Sequence, residues 1–79
     1  MNNIEKLKNS FSEALGIDIS SVTESLEYQS IPEWDSISHM VLISQIESDF
    51  GISIETDDVI DLSSFAKSKE ILGKFQIKL

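Results

Sequence analysis

Ile4, Leu7, Phe11, Ala14 and Leu15 recur at intervals of 3, 4, 3 and 1, which puts them on one face of a helix. Asn2 or Asn3 offers an N-cap oxygen for this helix, and Gly16 a stop. From Ile17 to Trp34 neither a helical nor a strand period is sustained. Serines, Thr23 and Pro32 punctuate this stretch, while Val22, Leu26, Ile31 and Trp34 can pin it to a core. A second helix starts at Asp35–Ser36, where Asp35 can accept from the free backbone N–H groups of the first turn, and runs to about Phe50 before Gly51. Thr56, Asp57 and Asp58 predict the cap of a short helix reaching about Leu62. Ser63–Ser64 then caps a last helix on which Phe65, Leu72, Phe75 and Leu79 share a face, with Gly73 weakening it by about 1 kcal/mol relative to Ala. Ile52–Ser53–Ile54 is the only short strand candidate. The pattern predicts an all-α fold, a small four-helix bundle with a long first loop and a short third helix.

At about 100° per residue the second helix divides into two apolar surfaces. Leu42, Ile43, Ile46 and Phe50 form the core stripe, and His39 lies in the same arc. Opposite them stand Ser36, Ile37, Met40, Val41, Ser44, Glu47 and Ser48. Folding a monomer does not account for Ile37, Met40 and Val41. Either the long loop or the third helix covers them, or they form a docking patch around Ser36. Ser36 itself sits beside free N–H donors and the positive end of the helix dipole, so a phosphate ester on its hydroxyl is favoured there. The plainer reading is that Asp35–Ser36 is only a helix start.

The chain has 79 residues, enough for one small domain spanning 1–79. At 41% hydrophobic and 25% charged residues its composition is globular rather than disordered. Without cysteine it has neither a disulfide scaffold nor a thiol nucleophile. No apolar run approaches the roughly 20 residues that span a bilayer, and no basic-then-apolar leader opens the chain, so a cytoplasmic location is expected. Six lysines against fourteen carboxylates give a net charge of −8, and residues 9–66 hold no Lys or Arg at all. That field repels nucleic acid and anionic lipid and favours encounter with basic protein surfaces. Taken alone, the charge is also what a solvated, solubilising surface requires.

The register of these elements resembles an acyl carrier protein from about Ile4 to Phe75. A first helix ends in Leu15–Gly16, and a long loop leads to Asp35–Ser36–Ile37. The next helix ends in Phe50–Gly51–Ile52, followed by an acidic short helix at 57–62 and a final helix from Ser64. The run Glu33–Trp34–Asp35–Ser36–Ile37–Ser38–His39–Met40 is similar to the W-D-S-L-x-H segment of stand-alone carriers. The resemblance implies that Ser36 receives 4′-phosphopantetheine from coenzyme A, and that the thiol of this arm holds an acyl or aminoacyl group as a thioester. It implies that Asp35 helps hold Mg²⁺ and coenzyme A in the complex with the transferase. Ile37 replaces the motif's leucine and keeps an apolar contact to partners. The implied protein is a non-catalytic monomer. Its implied partners are a phosphopantetheinyl transferase and acyl-loading and acyl-processing enzymes with basic docking surfaces, with neither nucleic acid nor membrane among them.

One departure concerns the docking side of the second helix. Fatty-acid carriers commonly place several acids there, whereas this chain has Glu47 beside uncharged Ser38, Val41 and Ser48. Docking is therefore expected to be more apolar near Ser36, with acidic contributions from Glu47 and from Asp57, Asp58 and Asp61. This favours a carrier dedicated to a specialised pathway over one of housekeeping fatty-acid synthesis; polyketide synthesis is another setting for such an arm. An aminoacyl or peptidyl carrier with the same arm is the first alternative, and an unmodified acidic helical module that binds a basic protein is the second. A Ser36–His39 hydrolase pair is disfavoured because His39 belongs to the core arc and Ser36 to the other surface, without a glycine-flanked elbow or oxyanion hole. His39 is expected to pack under the long loop with a ring nitrogen bonded to a loop carbonyl. Asp57, Asp58 and Asp61 lack the alternating ligands, central glycine and closing glutamate of a calcium loop, so no metal site is expected.

Overall fold

A computed structural model describes residues 2–79. The first helix, α1, spans Asn3–Leu15. Asn2 caps it by accepting the Glu5 N–H, and Gly16 closes it in the left-handed conformation at φ 67°. This helix buries Leu7, Phe11 and Leu15, the stripe expected from their spacing. The second helix, α2, spans Ser36–Phe50, with Asp35 as N-cap and Gly51 as left-handed C-cap. Its Leu42, Ile43 and Ile46 are buried, and Phe50 is half-buried at the helix end.

Helices α1 and α2 run antiparallel. The Lys6 ammonium lies 4.8 Å from the centre of the Phe50 ring, and the buried Ser10 hydroxyl donates to Asp49. Further along, Gln45 donates to Glu13. The start of α2 therefore lies toward the end of α1, away from Lys6.

The long connection is ordered by its apolar residues and by backbone bonds to the far end of the chain. Val22, Leu26 and Trp34 are buried, and one 3₁₀ turn forms at Ile19–Ser21 with Asp18 as its cap. Tyr28 N–H donates to the Ser63 carbonyl, and Phe65 N–H donates to that of Leu26. Glu27 and Ser64 make an isolated antiparallel bridge; no strand forms among the described residues, and Ile52–Ser53–Ile54 is irregular. Phe11 meets Trp34 and Phe65 edge-on, with ring centres 5.5 and 5.2 Å apart. Helix α1, the loop and the last helix thus share one aromatic centre.

Two helix ends differ from the sequence expectation. The short third helix, α3, spans Thr56–Asp61, but Glu55 is its N-cap and no side chain bonds the free amides there. Thr56, Asp57 and Asp58 lie inside its first turn, where the two acids complement the dipole without capping. The last helix, α4, spans Phe65–Gly73 with Ser64 accepting the Lys67 N–H. It stops at Gly73, so Phe75 and Leu79 do not continue its face. Gln76 turns the chain at φ 62°, Ile77 N–H bonds back to the Leu72 carbonyl, and Leu79 is exposed.

Candidate functional site

The start of α2 is built by Asp35. Its backbone is extended, and its Oδ1 accepts the Ser38 N–H at 2.8 Å. That bond stabilises the ionised carboxyl and holds its pKa below the usual carboxylate value. With Ser38 N–H occupied, the N–H groups of Ser36 and Ile37 stand at the positive end of the helix. Ser36 is exposed in the first turn. A phosphate ester on its oxygen would lie at this positive end without displacing a core contact, so the site fits a phosphate-linked arm.

Next to Ser36 the outer surface of α2 is open. Ile37 is 77% exposed, Met40 57% and Val41 48%, so neither the loop nor α3 covers them. On α3 a further apolar side chain, Ile60, is 73% exposed. The sequence reading missed it. The signal was present: Val59 and Leu62, three apart, turn to the core and leave Ile60 pointing away.

The acids proposed to flank this patch are not equivalent. Asp57 and Asp61 are exposed. Asp58 is held by the Lys74 ammonium at 2.8 Å, and this pairing raises the Lys74 pKa. Glu47 is half-buried, and its Oε2 accepts the Ile54 N–H at 2.7 Å, tying the connection after Gly51 to α2. Ser44 and Ser48 are exposed and uncharged. Asp49, on the flank, is bonded by Ser10 and Gln45.

His39 is half-buried on the core arc of α2, as expected, but its partners differ from the expectation. The Trp34 indole N–H donates to its Nδ1 at 3.0 Å, and its Nε2 is 2.8 Å from the carbonyl of Val59. The loop thus contributes a donor, and the carbonyl comes from α3. With both ring nitrogens engaged, His39 does not serve Ser36 as a base. A pocket of about 250 Å³ lies between the long loop and α3, lined by Tyr28, Val59, Ile60, Leu62 and Ser63, with His39 of α2 at its wall. Among the described residues no group of three His, Asp or Glu side chains is placed to hold a metal ion, and no helix is long and apolar enough to cross a membrane.

Comparison with known proteins gives two matches. The family model for phosphopantetheine attachment sites matches residues 5–67. A curated acyl carrier protein of Lactobacillus johnsonii is 30% identical over 71 residues, covering 90% of this chain and 89% of its own. No solved structure matches significantly.

Proposed function

The chain belongs to the acyl carrier protein family, whose prosthetic group is 4′-phosphopantetheine, and from that premise we propose that Ser36 carries the arm. The observation behind this reading is the exposed hydroxyl of Ser36 in the first turn of a helix that Asp35 caps, inside the matched span. The arm, when attached, supplies a thiol that holds an acyl group as a thioester. The chain's own residues do the rest: Ser36 provides the attachment oxygen, and the first-turn amides favour the phosphodiester's charge. The Ser38 N–H favours the ionised form of Asp35, and in the transferase complex that carboxylate would help hold Mg²⁺ and coenzyme A.

Ile37, Met40, Val41 and Ile60 form the apolar centre of the partner-docking surface. Burying an isoleucine or methionine side chain is worth about 1.5–3 kcal/mol when complete. Asp57 and Asp61 give this surface an acidic rim for basic partners, with smaller shares from Glu47 and Asp58, each already engaged by the fold. The outer side of α2, where Ser44 and Ser48 are uncharged and Glu47 is engaged by the Ile54 N–H, supports a carrier dedicated to a specialised pathway rather than a general fatty-acid role. We take residues 1–79 as one domain acting as a cytoplasmic, non-catalytic monomer.

The test is intact mass before and after incubation with coenzyme A, Mg²⁺ and a broad-specificity phosphopantetheinyl transferase, with Ser36→Ala alongside. One phosphopantetheine gained by the wild type alone supports the assignment. Gain by both proteins places the arm elsewhere, and gain by neither leaves an unmodified binding module.

A further inference from the structure

The two bonds of His39 define its chemical state. An indole nitrogen only donates, so Nδ1, which receives the Trp34 N–H at 3.0 Å, carries no proton. A carbonyl only accepts, so Nε2, 2.8 Å from the Val59 oxygen, carries one. The ring is therefore the neutral Nε2–H tautomer. Its plane lies within 20° of that of Trp34, with ring centres 6.0 Å apart, as an edge-to-edge N–H bond requires, and it meets Tyr28 edge-on at 5.4 Å. The long loop, α2 and α3 are joined through this one side chain.

Helix α3 has few other ties. It has six residues, no side-chain cap, and one ion pair, Asp58–Lys74, whose lysine is mostly exposed. Its remaining hold on the core is the half-buried Val59 and, just beyond its end, Leu62. Yet it carries Ile60, Asp57 and Asp61, which belong to the docking surface proposed above. The bond from His39 to the Val59 carbonyl is made to the residue directly before Ile60.

We propose that His39 is a positioning residue: as the Nε2–H tautomer it straps α3 to the first turn of α2 and fixes the relation between the two halves of the docking surface. What the surface docks rests on the carrier reading, whereas the strap itself does not. His39 and Ser36 are three residues apart, about 60° around α2, so an effect on arm transfer is assigned to α3 only where α3 exchange changes with it.

Two substitutions separate the two bonds. In His39→Asn the side-chain oxygen falls near the place of Nδ1 and can accept from Trp34, but the side chain is too short to reach Val59. In His39→Gln the side-chain amide falls near the place of Nε2 and can donate to Val59. The experiment combines nitrogen NMR of the imidazole and indole, amide exchange of Val59 and Leu62, and steady-state kinetics of arm transfer with the transferase, coenzyme A and Mg²⁺. Wild type should show a protonated Nε2 and a bare Nδ1. His39→Asn should speed exchange in α3 about tenfold, as loss of one hydrogen bond implies. It should also raise the KM for the carrier with kcat unchanged, because an interaction made equally in ground and transition states is lost. His39→Gln should keep α3 exchange and KM near wild type and shift the Trp34 indole signal.

A proton on Nδ1 in the wild type overturns the proposal. So does unchanged α3 exchange in a folded His39→Asn protein, or equal kinetic loss in both variants. If His39→Asn does not fold, the wild-type tautomer and the Gln variant decide. If the wild type accepts no arm, the Ser36 assignment falls, while the tautomer and exchange measurements still decide for or against the strap.

Discussion

Asp35 links the architecture of the site to pH. The Ser38 N–H favours its ionised form in the folded state and lowers its pKa. Its stabilising contribution is therefore present above the unfolded carboxylate's value of about 3.9, and it is lost as the pH falls through the lower folded value. Asp35→Asn retains an acceptor for Ser38 but does not titrate. Thermal melts should show a similar Tm at neutral pH and a smaller fall in Tm between about pH 5 and 2 than in the wild type. An equal fall would assign the acid sensitivity to other carboxylates. Asp35 and Ser36 were legible in the sequence because a cap and its amides lie within three residues of one another. The partners of His39, Glu47 and Asp58 were not legible in the same way. Val59 is 20 residues from His39, and Lys74 is 16 from Asp58, distances that only the folded chain closes. Local pattern gave the correct arc of His39 but not what waits there.

Among the elements, the best-read boundaries were those where backbone geometry demands a particular residue. Gly51 ends α2 at φ 65°, and a Cβ placed there would meet no atom within 4 Å. The cost of Gly51→Ala is therefore backbone strain alone, about 1 kcal/mol. Urea denaturation should show a lower midpoint with an unchanged slope, and a change in slope would show that the folded or unfolded state had altered in compactness. The end of α4 was read less well for a related reason. The period through Phe65, Leu72, Phe75 and Leu79 is satisfied as easily by a helix as by a turn that folds Phe75 and Ile77 back on the same core. At Gly73 the chain takes the second course, and Gln76 adopts a positive φ without being glycine. Helix α3 was recognised, but its cap was not. Its first-turn acids carry the composition of a capped start while Glu55 leaves the amides without a side-chain bond.

Across the whole molecule, charge and exposed apolar surface are arranged to different ends. The lysines lie in α1, in α4 and in the tail after it, while α2, α3 and the loop contain none. The side chains of Ile37, Met40, Val41 and Ile60 are open within that acidic part. Val41→Glu tests whether the patch selects partners. At 48% exposure the change should alter stability by no more than about 0.5 kcal/mol, while binding shifts toward enzymes with basic grooves. A loss of several kcal/mol in chemical denaturation would mean that Val41 is buried and no docking residue.

The two components should also separate kinetically in binding to the transferase. Long-range attraction by the net charge of −8 acts on encounter and is screened beyond roughly 10 Å at 0.1 M salt. Apolar contact acts after encounter and governs departure. In stopped-flow measurements, raising salt from about 50 to 500 mM should lower the association rate of the wild type and change its dissociation rate little. Met40→Ala should do the reverse, speeding dissociation with the same dependence of association on salt. A salt-independent association rate would make the acidic surface passive, a solubility device rather than a guide to partners. A Met40→Ala dissociation rate equal to that of the wild type would move the apolar anchor away from the centre of α2.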